Sequence, residues 1–553
     1  MGVGKLIYTI VFACIAYPTY SIVQHYRIAK RVGLPVLVTP VNPFSPVWWF
    51  LGSLLFPLMR RVPLQIIQDW AMFGDIGWPF GDRGQVHKRY GPTFLIVTPG
   101  GSNLVTSDPK TIEECLRRTN AFLKPPVIYS AIEYFGPNVD TVNGDAWQRH
   151  RRLTTPPFNE RNSGLVWKES LKQAEGMAAE WSSKTSVGGD RTLEDTKKLA
   201  LHVLTSAGFG KNYDFEIGTT KVPEGHSLSY RDALAGILKD MLVSIIAANV
   251  NAPLWMLPKS WRDMKQYQAE FKKYMIEMAD EQRASMKDEM GAPQQDNLMA
   301  ALIRANEVSR SQGKGRYSLS DEEIYGNLFI WNLAGHDTTA GTLAFAFTLL
   351  SVRPDVQDWI AEEINAVFGD TTVDKWDYEK SFPRLRRCLA TMYETLRLFG
   401  PVPSMTKQTF SPQSLEIAGE QFQIPENYML TLNLTSLHYS ESHWGSDSHR
   451  WRPSRFIKEG ELVIPGPGNT FIPWVAGPRV CPGKKFAQVE FVATLAMCLR
   501  KHRVQAVPEA GESEADTYKR VFAVANYSEM GVNPTLKMVH PERVRLSWKP
   551  TNA

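Results

Sequence analysis

The residue with the plainest chemical potential is Cys481, in the stretch Trp474-Val-Ala-Gly-Pro-Arg-Val-Cys-Pro-Gly483. Gly477 and Gly483 bracket it, Pro478 and Pro482 stiffen the loop, and Lys484-Lys-Phe-Ala487 opens an amphipathic helix. A thiolate survives at neutral pH only beside hydrogen-bond donors and positive potential, which a turn leading into a helix amino terminus supplies. Glycines also let the backbone lie flat against a large planar partner. Arg479, two residues from the sulfur, is placed to meet an acidic group on the rim of such a partner. A tight turn around an inert, buried cysteine is the alternative, and the loop alone does not choose between them.

Two further clusters carry charge where apolar residues are expected. Ala334-Gly-His-Asp-Thr-Thr339 interrupts a long apolar run. Gly335 costs about 1 kcal/mol against alanine in a helix, and threonine bonds back to the preceding turn and distorts it. The cluster suits a groove where a small ligand approaches the backbone and protons are relayed through Asp337 and Thr338. A packing glycine beside a solvated polar face explains it equally well. Glu394-Thr-Leu-Arg397 places opposite charges three residues apart on one helix face. On the surface such a pair means little; in a core it needs a further partner, for which Arg455 in Trp451-Arg-Pro-Ser-Arg-Phe456 is available.

These residues imply the elements that hold them. Ser320 followed by Glu323 forms a capping box, and Pro354 lies beyond a proline-free span from Asp321 to Ser351. At about 1.5 Å per residue this helix runs roughly 47 Å. It is apolar almost all round and must be buried, and His336 with Asp337 makes burial in lipid costly. Strands are expected at Thr93 to Thr98, Asn103 to Thr106, within Ser414 to Pro425 and over Met429 to Leu434. Helical patterning dominates elsewhere, including Arg387 to Phe399. The fold class is mainly α with small β-sheets.

The chain has 553 residues, 43% hydrophobic and 22% charged, with a net charge of +5. That charge excludes a nucleic-acid binder driven by bulk electrostatics. Cys14, Cys115, Cys388, Cys481 and Cys498 form no Cys-x-x-Cys pair, which disfavours a disulfide framework, a four-thiolate zinc site or an iron–sulfur cluster. Leu6 to Gln24 carries no charge and is long enough to cross roughly 30 Å of hydrocarbon. Lys5 precedes it and Arg27, Lys30 and Arg31 follow, so the body is expected on the cytosolic side. A cleaved signal peptide is the alternative, but no small-x-small cleavage site is visible. We therefore expect a transmembrane anchor over residues 1–25, a basic, proline-rich connector with an interfacial segment over 26–64, and one large domain over 65–553.

The motifs together resemble the cytochrome P-450 superfamily over residues from about 90 to 540. The carriers are Gly-x-Arg-x-Cys-x-Gly at Gly477 to Gly483, Asp337-Thr338, Glu394 with Arg397, Pro453-x-Arg455-Phe456, and Trp147-Gln-Arg-His-Arg151. Trp474 stands where the family usually has phenylalanine, and Lys407 where it often has an arginine. The resemblance implies one large haem domain behind a membrane anchor, with haem b held by Cys481 as axial thiolate beside Gly483. It implies that Trp147, Arg151, Arg479 and Lys407 anchor the propionates and that Asp337 and Thr338 are catalytic. Glu394, Arg397 and Arg455 are then structural. The implied enzyme is a monooxygenase of the endoplasmic reticulum membrane, inserting one atom of dioxygen into a lipophilic small molecule, in the style of fungal enzymes that tailor secondary metabolites. No Gly-x-Gly-x-x-Gly fingerprint follows a strand, so electrons must come from NADPH through a separate cytochrome P-450 reductase, with cytochrome b5 as a second donor. Arg149, Arg152, Lys484 and Lys485 would form its docking face. Val402 to Thr406, Trp331 and the segments near Phe135 and Ser528 to Val532 are expected substrate walls, with Met241 to Ala248 an apolar access region. A haem-thiolate isomerase or dehydratase, or a silent haem protein, is the rival reading.

Overall fold

The computed structural model describes residues 2–43, 45–183, 189–216, 222–250, 252–288, 297–312, 317–466, 468–530 and 535–551. Eleven helices build the site and its frame: α1 (Gly2–Val32), α2 (Pro46–Met59), α3 (Pro109–Arg117), α4 (Gly144–Thr154), α5 (Glu160–Ser183), α6 (Thr192–Phe209), α7 (Tyr230–Lys239), α8 (Lys259–Asp288), α9 (Asp321–Leu350), α10 (Arg386–Phe399) and α11 (Lys484–Lys501). The central helix α9 starts where its capping box dictates. Ser320 Oγ accepts the Glu323 N–H at 3.2 Å, and the Glu323 carboxylate accepts the Ser320 N–H at 2.9 Å. Three acidic residues in its first turn complement the helix dipole. Apolar on every side, it is enclosed by α6, α8, α10 and α11, and its residues run through the middle of the main core.

A five-stranded sheet flanks this helical body. It comprises β1 (Val36–Val38), β2 (Thr93–Thr98), β3 (Gly101–Thr106), β4 (Ser404–Gln408) and β7 (Met429–Asn433), in the order β1-β2-β3-β7-β4. β5 (Gln413–Ile417) and β6 (Glu420–Ile424) form a separate hairpin. β3 and β7 pair in parallel with Leu104 opposite Leu430, while β4 runs antiparallel to β7 with Lys407 opposite Leu430. The sheet thereby places Lys407 on one of its two edge strands. Tyr230 of α7 donates to Asn332 Oδ1 of α9 at 2.5 Å, tying the outer layer to the central helix.

The first part of the expected connector packs into the folded body. Ala29, Val32, Leu34, Leu37 and Val41 are buried, and β1 pairs with β2 as part of the sheet. A three-residue strand is too short to show an alternating pattern, so the sequence hid it. The carboxy-terminal half of α1 also docks, with Ser21 Oγ donating to the Pro99 carbonyl at 2.7 Å. The side chains of residues 1–15, which make up most of the expected span, lie outside the described residues. Among the described residues no helix is long and apolar enough to cross a membrane.

Candidate active site

The loop that carries Cys481 is shaped by two close approaches. Gly477 has φ +72°, and a Cβ there would stand 3.0 Å from the Leu116 carbonyl oxygen of α3. Gly483 would bring a Cβ to 3.9 Å from the Cys481 sulfur, so glycine leaves room beside it. Val475, at φ +63°, holds a left-handed conformation that β-branched residues avoid. Cys481 is solvent-accessible, unlike Cys115, Cys388 and Cys498, which are buried. Burial raises the thiol pKa, while the Gly483 N–H, Arg151 and Lys484 pull it down less strongly. The loop's donors are therefore present, yet by themselves they do not hold a free thiolate. A bound metal ion would, because coordination deprotonates a thiol outright.

The same kind of opening interrupts α9, which packs against α11 just beyond Cys481. Ala334 is exposed and Gly335, Asp337 and Thr338 are half-buried in a helix that is otherwise buried on either side. Thr338 Oγ1 donates to the Ala334 carbonyl at 2.7 Å, the back-bond that opens a helix ladder. Gly335 does not line this opening. A Cβ there would lie 3.1 Å from Leu204 of α6, so the glycine serves helix packing. The Asp337 carboxylate pairs with Lys197 at 2.7 Å and accepts the Thr535 hydroxyl.

At one edge of the chamber cations gather with too few anions. The Arg479 guanidinium lies 4.7 Å over the Trp147 ring and donates to the Val142 carbonyl at 2.7 Å. Its Nη1 is buried with no partner among the described residues. Lys407 is 1% exposed, and burial with repulsion from Lys124 and Arg479 lowers its pKa to about 7. Lys124, buried on the Tyr129 ring, pairs with Asp140, the single carboxylate of the group. A partner bearing two carboxylates on one rim and a metal ion at its centre satisfies both the orphaned cations and the open sulfur. The residues present therefore fit a haem. Arg151 lies nearer the sulfur, donating to the Val480 carbonyl at 2.8 Å.

Glu394, Arg397 and Arg455 meet away from this chamber. Arg397 grips Glu394 through Nε and Nη2 at 2.8 and 2.9 Å, and Arg455 Nε reaches Glu394 at 3.4 Å. Arg397 Nη1 also donates to the carbonyls of His438 and Ser448, both at 2.7 Å. The group braces α10 against the segment leading to the cysteine loop.

Several expected positions fall elsewhere. Trp331 packs edge-on against Phe158, at 5.7 Å between rings, and Phe158 borders Gly483. Arg149 is committed to Glu323 and the Ser318 carbonyl, which removes it from an open docking face. Val402 is 36% exposed beside half-buried Ser404, Met405 and Thr406. Phe135 packs on Phe329 at 5.0 Å. Ser528 pairs with Met538 in a short hairpin, whereas Gly531 and Val532 lie outside the described residues. Lys124, Lys197, Thr535 and the fully buried Glu490 had no signal in the sequence, because each gains its meaning from partners distant along the chain.

The fold and this chamber define a haem-thiolate protein. The cytochrome P-450 family model matches residues 73–527, and the chain belongs to that family, with the enzyme class of the P-450 monooxygenases. A cytochrome P-450 monooxygenase of Postia placenta is 32% identical over 89% of this chain and 92% of its own length. One from Arthrobotrys oligospora is 29% identical over 99% of this chain and 97% of its own. The phomenoic acid biosynthesis cluster cytochrome P-450 monooxygenase of Leptosphaeria maculans is 28% identical over 95% of each. A crystal structure of a cytochrome P-450 aligns with a TM-score of 0.64 at 19% identity, over 86% of this chain and 98% of that one.

Proposed function

We propose that the protein inserts one oxygen atom from dioxygen into a lipophilic intermediate of secondary metabolism, using haem b and electrons from NADPH delivered by a separate cytochrome P-450 reductase, with cytochrome b5 as a second donor. The observation that carries this reading is the accessible Cys481, two residues from Arg479, whose buried Nη1 has no partner among the described residues, with buried Lys407 close enough to Arg479 to be repelled by it. Bound there, the haem supplies the redox chemistry, and its thiolate ligand favours O–O cleavage. Cys481 would hold the metal, Arg479 and Lys407 the acidic rim, and Trp147 the guanidinium of Arg479. Arg151 stiffens the loop through Val480, and Gly483 keeps the space beside the sulfur clear. Thr338 holds a proton at Oγ1 on the chamber side, with Asp337 one residue away as its source. The relative from the phomenoic acid cluster supports secondary metabolism as the setting.

The same proposal places the chain on the endoplasmic reticulum membrane through a single anchor in residues 1–25, with the body in the cytosol. The charge pattern around Leu6 to Gln24 supports this, as do Val47, Leu51, Leu54 and Leu58, exposed along α2. Asn526 is an exposed glycosylation sequon and reports topology, whereas Asn433 is buried and takes no glycan in the folded chain. An unmodified Asn526 after expression in a eukaryotic host is the expected result.

Cys481→Ala tests the chemical core. The reduced carbon monoxide complex of the wild type should show the thiolate-type Soret shift and the variant should lose it. A shift that persisted in the variant would refute Cys481 as ligand. Oxygen consumption that depends on NADPH and reductase separates the monooxygenase from an isomerase.

A further inference from the structure

A fully buried histidine links the central helix to the segment that grips the cysteine loop. His150 lies on α4 between Trp147, whose ring carries Arg479, and Arg151, which donates to the Val480 carbonyl. Its ring meets the first two turns of α9 at both nitrogens. Nε2 lies 3.2 Å from the Glu323 carboxylate and Nδ1 2.9 Å from Asn327 Nδ2. Asn327 is also fully buried, and Oδ1 accepts the Val139 N–H at 2.9 Å, which fixes the orientation of the amide. Nδ2 therefore donates twice, to the Glu323 carbonyl at 2.6 Å and to His150 Nδ1. The imidazole then carries its hydrogen on Nε2 and gives it to Glu323. Burial lowers the pKa of the ring and keeps it neutral, as this pattern requires.

Val139 belongs to a second connection, the loop 136–143 that leads into α4. Gly136 has φ +133°. A Cβ on Gly326 of α9 would collide with the Gly136 carbonyl oxygen and stand 2.6 Å from that of Pro137. The loop thus lies on α9 backbone to backbone. Its far end holds Arg479, since the Val142 carbonyl and Asn143 Oδ1 accept from Arg479 Nη2 at 2.7 and 3.1 Å. Between these ends Asp140 pairs with Lys124. One loop and one helix therefore hold Arg479, Lys124 and Val480, and both fasten to α9 where His150 meets Asn327.

We propose that His150 and Asn327 are positioning residues that key α4 and the loop 136–143 to α9, and so hold the Cys481 loop in register with the central helix. They act through Trp147, Arg151, Val142 and Asn143, the four residues that touch Arg479 or Val480. This rests on the haem reading above: one rigid cofactor must meet Cys481, Arg479 and α9 at once, so their register decides how well the thiolate stays bound.

The thiolate-type Soret band of the reduced carbon monoxide complex reports this register in the full-length, haem-loaded protein, without substrate or reductase. In mild urea, His150→Phe should lose that band severalfold faster than wild type, and so should Asn327→Leu. The double variant should match the single ones, because two residues acting through one junction are not additive. Gly326→Ala removes no polar group but pushes the loop off α9, and it should also speed the loss. Gln357→Leu is the comparison for a role in stability alone. Gln357 is buried and donates to the Leu350 and Val504 carbonyls at the other end of α9. With urea set at the same fraction of each protein's unfolding midpoint, Gln357→Leu should lose the band at the wild-type rate. A rate for His150→Phe equal to that of wild type or of Gln357→Leu would overturn the proposal. Effects of His150→Phe and Asn327→Leu that multiply would do the same. Should His150→Phe fail to fold, Gly326→Ala decides by the same comparison. A wild type without the thiolate-type band would instead sink the haem-thiolate reading.

Discussion

At the scale of single residues, a carboxyl group stands out: Glu490 of α11, nine positions past Cys481. It is fully buried, and neither carboxyl oxygen has a hydrogen-bond partner among the described residues. Burial raises its pKa well above the carboxylate range, with Thr339 alongside pulling weakly the other way. In the unfolded chain the same group loses its proton near pH ~4.3. Above that pH the folded state binds the proton that the unfolded state has released, so folding stability falls as pH rises toward the folded pKa. Glu490→Gln removes this dependence. Its stability relative to wild type should grow from pH 4 to pH 8 in urea unfolding at fixed salt. An offset that stays constant across that range would show that Glu490 does not keep its proton in the fold.

At the scale of elements, the α10 network shows what motifs can and cannot tell. The sequence placed Glu394 and Arg397 on one helix face, and the structure adds why the pair tolerates burial: Arg397 also satisfies the carbonyls of His438 and Ser448. Arg397→Met should therefore cost about 3–5 kcal/mol, since it strands a buried carboxylate. For an isolated pair, replacing both partners by apolar residues recovers most of that loss. Here Glu394→Leu with Arg397→Met should not recover, because the two carbonyls and the Arg452 N–H that Glu394 accepts stay unpaired. Denaturant unfolding of the two variants side by side measures this, and a double variant near wild-type stability would contradict it. Other elements were legible to different degrees. The central helix could be read end to end because cap, period and terminating proline agree. Gly335 could not be read, since its role is set by Leu204 on another helix. The Lys124–Asp140 and Lys197–Asp337 pairs join segments that no local pattern links.

At the scale of the whole molecule, the carboxy-terminal half of the amino-terminal helix docks on the folded body, and the anchor we propose occupies the rest of it. Ser21 bonds to Pro99 in the loop after β2 and His25 to Thr98 at the end of β2, and Ala29 and Val32 enter the core beneath the sheet. β1 then extends that sheet at its edge. The anchor read from Leu6 to Gln24 thus overlaps, in its last turn, with the wall of the folded body. Truncation should separate the two. Removing residues 2–15 leaves every one of these contacts in place, so thermal stability and haem retention should match the full chain while flotation with phospholipid vesicles drops. Removing residues 2–38 strips β1 and uncovers Leu95 and Val97, at about 25 cal/mol per Å² of apolar surface newly exposed. That protein should melt at lower temperature and lose haem more readily, since β4, which carries Lys407, belongs to the same sheet. Equal stability of the two truncated proteins would mean that the sheet holds the haem edge without its first strand. Undiminished flotation of the shorter truncation would move the membrane contact to the exposed apolar face of α2.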